Sequence, residues 1–295
     1  MKIGYIGLGN MGGPMCRNLI KGVNHQVVVH DLNAEAVATC VAVGGTAASS
    51  LAALAAESDV IFTSLPTPRH VEAVVLGEGG IAAHAKPGTV FIDLSTNAPA
   101  MVKRLAAELA TRGIAMLDSP VTGGVPRAEA GTIVVMAGGN EAVFEANRAL
   151  LAAFSGTVVH VGPIGSASVA KLINNMLAFC NAAAAMEGMT MGAMAGIDMK
   201  KLFGIITNGS GDSAAIRSLG NRALVGKFEA SFALDLAYKD LGLAVELATE
   251  HGVPGMIAPQ VLNLMRMARG LGLGGEDSSA SLKVYEKVMG REVRL

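Results

Sequence analysis

The sequence predicts an α/β fold in its first half and an all-α part after it. Three observations carry that reading. Short apolar runs alternate with helix-patterned segments through the first half, the order that builds a largely parallel sheet wrapped by helices. The strand signal stops after the punctuating segment Gly162-Pro163-Ile164-Gly165. Beyond it, small and apolar residues recur at helical spacing from 166 to 195, enough for one helix of about 45 Å.

Taken in order, residues 2–6, 26–30, 60–64, 89–93 and 115–118 read as strands, and 10–21, 34–43 and 98–112 as the helices between them. Residues 133–137 and 157–161 add strands whose direction the pattern leaves open. Gly196 is placed to stop the long helix. Segments 198–206, 234–251 and 258–270 are the clearest helices of the remainder. The expected organisation is an α/β domain over 1–162 and an all-helical domain over 163–295, the long helix lying between them.

Composition narrows the class. Of 295 residues 51% are hydrophobic and 16% charged, a chain able to bury sizeable cores. The net charge of -1 offers no basic patch for nucleic acid or an anionic membrane surface. Cys16, Cys40 and Cys180 lack metal or disulfide spacing and read as small buried hydrophobes, which favours a reducing, cytoplasmic setting. The strand pattern begins at the N-terminus, where a signal peptide would need an unbroken apolar run. The apolar stretch 172–197 carries Asn174, Asn175, Asn181 and Glu187, so a buried helix is expected rather than a membrane span. The histidines show no metal spacing, and no metal site is expected.

The most informative local motif is Gly7-Leu8-Gly9-Asn10-Met11-Gly12, which follows a strand, opens a helix and precedes a second strand. In a Rossmann dinucleotide-binding domain the first glycine permits the tight turn and the second admits the pyrophosphate. The third lets helix pack on strand, and the helix N-terminus faces the phosphates. Asp31 closes the second strand 19 residues beyond Gly12. It can bind the adenosine ribose hydroxyls, or cap the helix that follows.

Four segments together are more specific. Gly7 to Met15 with Asn18-Leu19, then Asp118-Ser119-Pro120-Val121-Thr122-Gly123-Gly124, then Gly165 to Lys171-Leu172-Ile173-Asn174-Asn175, then Phe232 to Lys239-Asp240-Leu241 resemble, in order, the cofactor, substrate, catalytic and C-terminal signatures of the β-hydroxyacid dehydrogenases. The resemblance implies an oxidoreductase that interconverts a short β-hydroxy acid and its semialdehyde, as 3-hydroxyisobutyrate dehydrogenase does. Reduction of tartronate semialdehyde, glyoxylate or succinic semialdehyde, or oxidation of 2-(hydroxymethyl)glutarate, are alternatives within it. The stretch 270–288 is most similar to 2-(hydroxymethyl)glutarate dehydrogenase. The resemblance also implies cofactor contacts from Leu65-Pro66, Thr96 and Lys239, substrate contacts from Ser119, and a homodimer or homotetramer built through the helical domain. The family usually has serine where Thr122 stands, so the hydroxyl is kept and a methyl is added to the substrate side. The 6-phosphogluconate dehydrogenases share the plan but are much longer, and imine reductases generally lack the lysine. A nucleotide-sensing scaffold without catalysis is the rival of another class.

The chemistry can be argued from the residues themselves. Oxidising an alcohol requires a base for the hydroxyl proton as hydride leaves carbon, and reduction requires the same group as an acid. Lys171 lies near the positive end of the long helix, where the dipole and partial burial are expected to draw its ammonium pKa downward. Asn174 and Asn175 fall three and four residues on, on or beside its face, and can hold a substrate oxygen. Thr122, Gly123 and Gly124 offer a hydroxyl and two open backbone N–H groups to a small carboxylate substrate. Asp31, with Leu32 rather than a cation after it, points to NAD rather than NADP. Segment 208–217, with Ser210, Asp212, Ser213 and Arg217, is expected at the pocket mouth.

Overall fold

A computed structural model describes residues 1–295, which divide into two compact units, Met1–Lys171 and Leu172–Leu295. The first is built in βα steps. Strands β1 (Lys2–Ile6), β2 (Gln26–His30) and β3 (Thr46–Ala47) alternate with helices α1 (Gly12–Gly22) and α2 (Ala34–Val41). Then α3 (Leu51–Glu57), β4 (Val60–Thr63), α4 (Pro68–Leu76), α5 (Ile81–His84), β5 (Val90–Asp93) and α6 (Pro99–Ala110) follow. The unit continues with β6 (Ala115–Asp118), β7 (Val121–Thr122), α7 (Gly124–Glu129), β8 (Ile133–Gly138), α8 (Glu141–Ala152) and β9 (Ser155–Gly162).

The strands form one sheet in the order β3-β2-β1-β4-β5-β6-β8-β7, with β9 on β8. Its first six strands are parallel. The direction left open by the sequence is settled here: β8 runs antiparallel to β6 and β7, and β9 parallel to β8. Successive side chains on a strand face opposite sides, and both sides are buried. Ile3, Tyr5, Val27, Val29, Phe62 and Ile92 meet α1 and α8 through Met15, Leu19, Leu150 and Leu151. Ile6, Val28, Ile61 and Phe91 meet Leu54, Val71, Val102 and Leu105 on the other side. The chain reverses its winding between β1 and β4, where ligands bind at the carboxyl ends of such sheets.

Helix α9 (Ser166–Met194) contains the division between the units. The second unit continues with α10 (Met199–Thr207), α11 (Ala214–Asn221), α12 (Leu234–Glu250), α13 (Ala258–Gly270) and α14 (Leu282–Met289). Gly196 has φ +78° and ends α9 as expected, with Ile197 N–H bonded back to the Gly192 carbonyl at 3.1 Å. Leu234, Ala237 and Leu241 of α12 pack with Val261 and Met265 of α13, while Met186 and Met189 of α9 pack with Ile216 and Leu219 of α11.

Two expectations change. By length and composition α9 could cross a membrane, and only 22% of its most apolar window is buried. Ile173, Leu177, Met191 and Met194 are exposed, so the long helix is covered on one side only. Helices α3, α4, α5, α7 and α8 and the two-residue strands β3 and β7 lie outside the segments that the sequence pattern picks out, while α11 and α14 fall in the C-terminal part expected to hold several helices. Most of these helices are too short to show much periodicity, while α8 runs for 12 residues; Ser50, Thr67, Asn140 and Ser213 are the side chains that cap α3, α4, α8 and α11. Cys16 and Cys40 are buried, Cys180 is partly exposed, and all three are free thiols.

Candidate active site

The glycine loop joins β1 to α1, and each glycine has its own reason. Gly7 has φ +92°, and a Cβ there would lie 2.3 Å from the Ser64 carbonyl oxygen. A Cβ on Gly12 would lie 2.0 Å from the Gly7 carbonyl oxygen, so this helix start packs directly on the loop. Around Gly9 a Cβ would meet nothing within 4 Å, leaving open space where the backbone is exposed. No side chain caps α1; Gly13 N donates to the Gly9 carbonyl at 2.8 Å, Met15 N to the Met11 carbonyl at 3.4 Å, and Pro14 has no N–H, so the backbone offered to phosphate oxygens is that just before, at Asn10 to Gly12. Not every N–H of the loop is open. Gly7 donates to the His30 carbonyl at 3.0 Å, and Leu8 donates to Asp31 Oδ2 at 2.6 Å. Asp31 Oδ1 accepts from Asn33 N at 2.8 Å, and Asn33, not Asp31, caps α2. The arrangement fits a dinucleotide: tight turn, open second glycine, uncapped helix and a fixed carboxylate at the end of β2.

The loops after β4 and β5 are tied together by one residue the sequence reading missed. Asp93 Oδ1 accepts from Thr63 Oγ1 at 2.8 Å and from Ser95 N at 3.0 Å, and Oδ2 accepts from Asn97 Nδ2 at 2.6 Å. Ser95 Oγ in turn accepts from Leu65 N at 2.9 Å. Leu65, expected at the cofactor, is thereby tied to Ser95, the residue before Thr96. Burial pushes the Asp93 carboxyl pKa up, and the donors around it pull it partly back. Asp93 closes an apolar strand, a signal that could have found it.

The nominated substrate segment differs in form from the loop expected. Thr122 ends β7 and Gly124 opens α7, while Gly123, with φ +133°, makes the turn between them. Gly123 and Gly124 are exposed. Ser119, expected beside them, is wholly buried, its N–H donating to the Asp93 carbonyl at 2.7 Å. Lys171, in the second turn of α9, is 9% exposed.

The second unit holds Asn174, Asn175 and Lys239. Asn175 Nδ2 donates to Asp240 Oδ2 at 2.7 Å, and Asn174 Nδ2 donates to Asn175 Oδ1 at 3.2 Å. Lys239 Nζ lies 2.9 Å from Asp240 Oδ1. Asp240, buried and unremarked as a separate group in the sequence, thus orients the Asn175 amide. In segment 208–217, Arg217 pairs with Asp212 at 2.9 Å and donates to the Thr207 carbonyl at 2.6 Å, and Ser213 caps α11. No three His, Cys, Asp or Glu side chains are grouped so as to hold a metal ion.

The profile of the NAD binding domain of 6-phosphogluconate dehydrogenase matches residues 2–162, and that described as NAD-binding of NADP-dependent 3-hydroxyisobutyrate dehydrogenase matches 165–285. A 2-(hydroxymethyl)glutarate dehydrogenase from Eubacterium barkeri is 40% identical, over 99% of this chain and 97% of the relative. An NAD-dependent L-serine dehydrogenase from Pseudomonas aeruginosa is 34% identical, over 98% and 99%. The crystal structure of a 3-hydroxyisobutyrate dehydrogenase from Salmonella typhimurium superposes with a TM-score of 0.88 at 31% identity, over 96% of this chain and 99% of that one.

Proposed function

Because the chain belongs to the β-hydroxyacid dehydrogenase family, we propose that it interconverts a short β-hydroxy acid and its semialdehyde with NAD, using Lys171 as the proton carrier. That it is a nicotinamide-dependent dehydrogenase of hydroxy acids follows from the family. The choice of acid and the role of the lysine are the proposal.

The observation that carries it is Lys171 itself, nearly buried in the second turn of α9 within the unit that also holds the glycine loop and Thr122. A solvated surface lysine has no reason to be so covered. When bound, NAD supplies the hydride acceptor and NADH the donor. In oxidation the neutral Lys171 amine takes the β-hydroxyl proton as the C–H hydride leaves, giving the semialdehyde and an ammonium. In reduction the ammonium returns that proton to the new alkoxide oxygen. Thr122 Oγ1 and the N–H groups of Gly123 and Gly124 are the groups proposed to hold the carboxylate.

A second reading keeps the chemistry and enlarges the acid. Identity of 40% to the 2-(hydroxymethyl)glutarate dehydrogenase favours a β-hydroxy acid bearing a second carboxylate.

One experiment tests both. NADH absorbance is followed with 3-hydroxyisobutyrate, glycerate, L-serine, L-threonate, 2-(hydroxymethyl)glutarate and an alcohol lacking the carboxylate. We expect turnover of at least one acid and none of the alcohol. Lys171→Ala should lower kcat by at least ~10²-fold with NADH affinity unchanged. Tight NADH binding without turnover of any acid would replace the enzyme by a nucleotide sensor, and wild-type turnover by Lys171→Ala would remove the lysine from the mechanism.

A further inference from the structure

We propose that Asp118 is a positioning residue for catalysis, a carboxylate that fixes the start of α9, and with it Lys171, to the strand from which the substrate segment springs. The proposal rests on the reading of Lys171 as proton carrier.

A helix begins with backbone N–H groups that have no partner inside it, usually met by a neighbouring side chain. At the start of α9 the partner comes from far away in sequence. Asp118 Oδ1 accepts from Gly165 N at 2.8 Å. Its Oδ2 accepts from Ser168 N at 2.7 Å and from Ser168 Oγ at 2.9 Å. The carboxylate is 1% exposed, so water does not compete for these bonds. Its charge also sits at the positive end of the helix, where an anion is stabilising. Burial pushes the Asp118 carboxyl pKa up, and the three donors oppose that.

An independent observation lies on β8. Gly138 is the register partner of Asp118. A Cβ on Gly138 would stand 2.4 Å from Asp118 Oδ1 and 3.0 Å from Ala167 N. The sheet therefore carries no side chain at the one point where strand, carboxylate and helix start converge. Gly165, with φ +90°, turns the chain into the helix at the same point.

The consequence for the reaction is geometric. Lys171 follows Ser168 by about one helical turn, so a slide or rotation of this turn carries the amine with it. Thr122 follows Asp118 on β7, which pairs with the same β8 through Val121↔Val135 and Thr122↔Val134. One carboxylate thus refers the proton carrier and the carboxylate-holding segment to a common strand. Displacements of about 1 Å at such positions can lower a rate ~10²-fold. Asparagine would not substitute: its Oδ1 could serve one amide, while its Nδ2 would face the other donor.

Asp118→Asn, Asp118→Ala, Gly138→Ala and Ser168→Ala are compared with Lys171→Ala. The readouts are kcat, KM, NADH affinity by fluorescence, and hydrogen exchange of the Gly165 and Ser168 amides. We expect Asp118→Asn and Gly138→Ala to lower kcat ~10- to 100-fold. NADH affinity should stay within about twofold of wild type, with faster exchange confined to the first turn of α9. A double variant Asp118→Asn/Lys171→Ala should turn over no more slowly than Lys171→Ala alone. Should Asp118→Ala fail to fold, Asp118→Asn and Ser168→Ala report the same effect with bonds to spare. Wild-type kcat in Asp118→Asn and Gly138→Ala despite faster exchange, with Lys171→Ala inactive, overturns the role of Asp118 alone. Wild-type turnover by Lys171→Ala removes the lysine and this role together.

Discussion

The backbone N–H of Leu8 donates a 2.6 Å hydrogen bond to Asp31 Oδ2, joining the glycine loop to the end of β2 across 23 residues of sequence. Asn33 N holds the other oxygen at 2.8 Å. The carboxylate is therefore oriented before any ligand arrives. Each oxygen keeps acceptor capacity beyond the bond it already makes, so a pair of ribose hydroxyls can be met without reorganisation.

That geometry predicts cofactor choice. A fixed carboxylate accepts from the 2′-hydroxyl of NAD but repels the 2′-phosphate of NADP. Leu32, beside it, is 99% exposed and offers no cation. We expect kcat/KM at least ~10-fold higher with NAD, about 1.4 kcal/mol. Asp31→Ala with Leu32→Arg should narrow or invert the ratio by adding a phosphate partner. Equal use of both cofactors by the wild type would contradict the role given to Asp31.

The glycines separate folding from binding. At Gly9 a Cβ has open space, so Gly9→Ala should leave Tm unchanged while occupying room the pyrophosphate needs. NADH should bind at least ~10-fold more weakly, about 1.4 kcal/mol. At Gly12 the Cβ would strike backbone, so Gly12→Ala should lower Tm as well. Thermal melts and NADH titration of the two variants check this, and equal Tm losses would show that Gly9 is structural.

The sequence made the binding half of the molecule legible because its signals are local. Apolar strands ending at Ile6, His30 and Asp118, and glycines at fixed offsets, declare themselves within a few residues. What it did not disclose depends on contacts between distant segments. Asp93 joins the loops after β4 and β5, Asp118 reaches α9, and Asp240 turns the Asn175 amide. Each is an acidic residue in an apolar setting, and periodicity says nothing about its partners. The exposed side of α9 escaped for a related reason. Apolar residues almost all around a helix predict full burial, but nothing in the second unit covers Ile173, Leu177, Met191 and Met194.

Those four side chains predict assembly. Spacings of four, fourteen and three residues place them along one side of α9, and an apolar stripe of that length on a dehydrogenase calls for a partner surface. A second copy of the chain is the expected partner, giving a homodimer or homotetramer. Light scattering at micromolar concentration should report more than a monomer, and Leu177→Glu with Met191→Glu should dissociate it. A wild-type monomer would contradict the expectation.

The last prediction concerns acid stability of the second unit. Asp277 is 3% exposed and accepts from Ser231 N at 3.0 Å, Ser231 Oγ at 2.7 Å, Ser279 N at 3.1 Å and Ser279 Oγ at 2.7 Å, with Arg222 paired at 3.3 Å. Burial on its own would raise its pKa. The hydrogen bonds from Ser231 and Ser279 together outweigh it, and the carboxyl pKa falls below its ordinary value. A depressed pKa means that the unfolded chain binds the proton more tightly than the folded one. The stabilisation from Asp277 is then fully present above the ordinary carboxylate range, and is lost as pH falls through that range towards the depressed folded value. Asp277→Asn should lower Tm at pH 7 and shrink the further loss of Tm on acidification. A variant whose Tm falls with acid as steeply as the wild type would show that Asp277 titrates alike in both states.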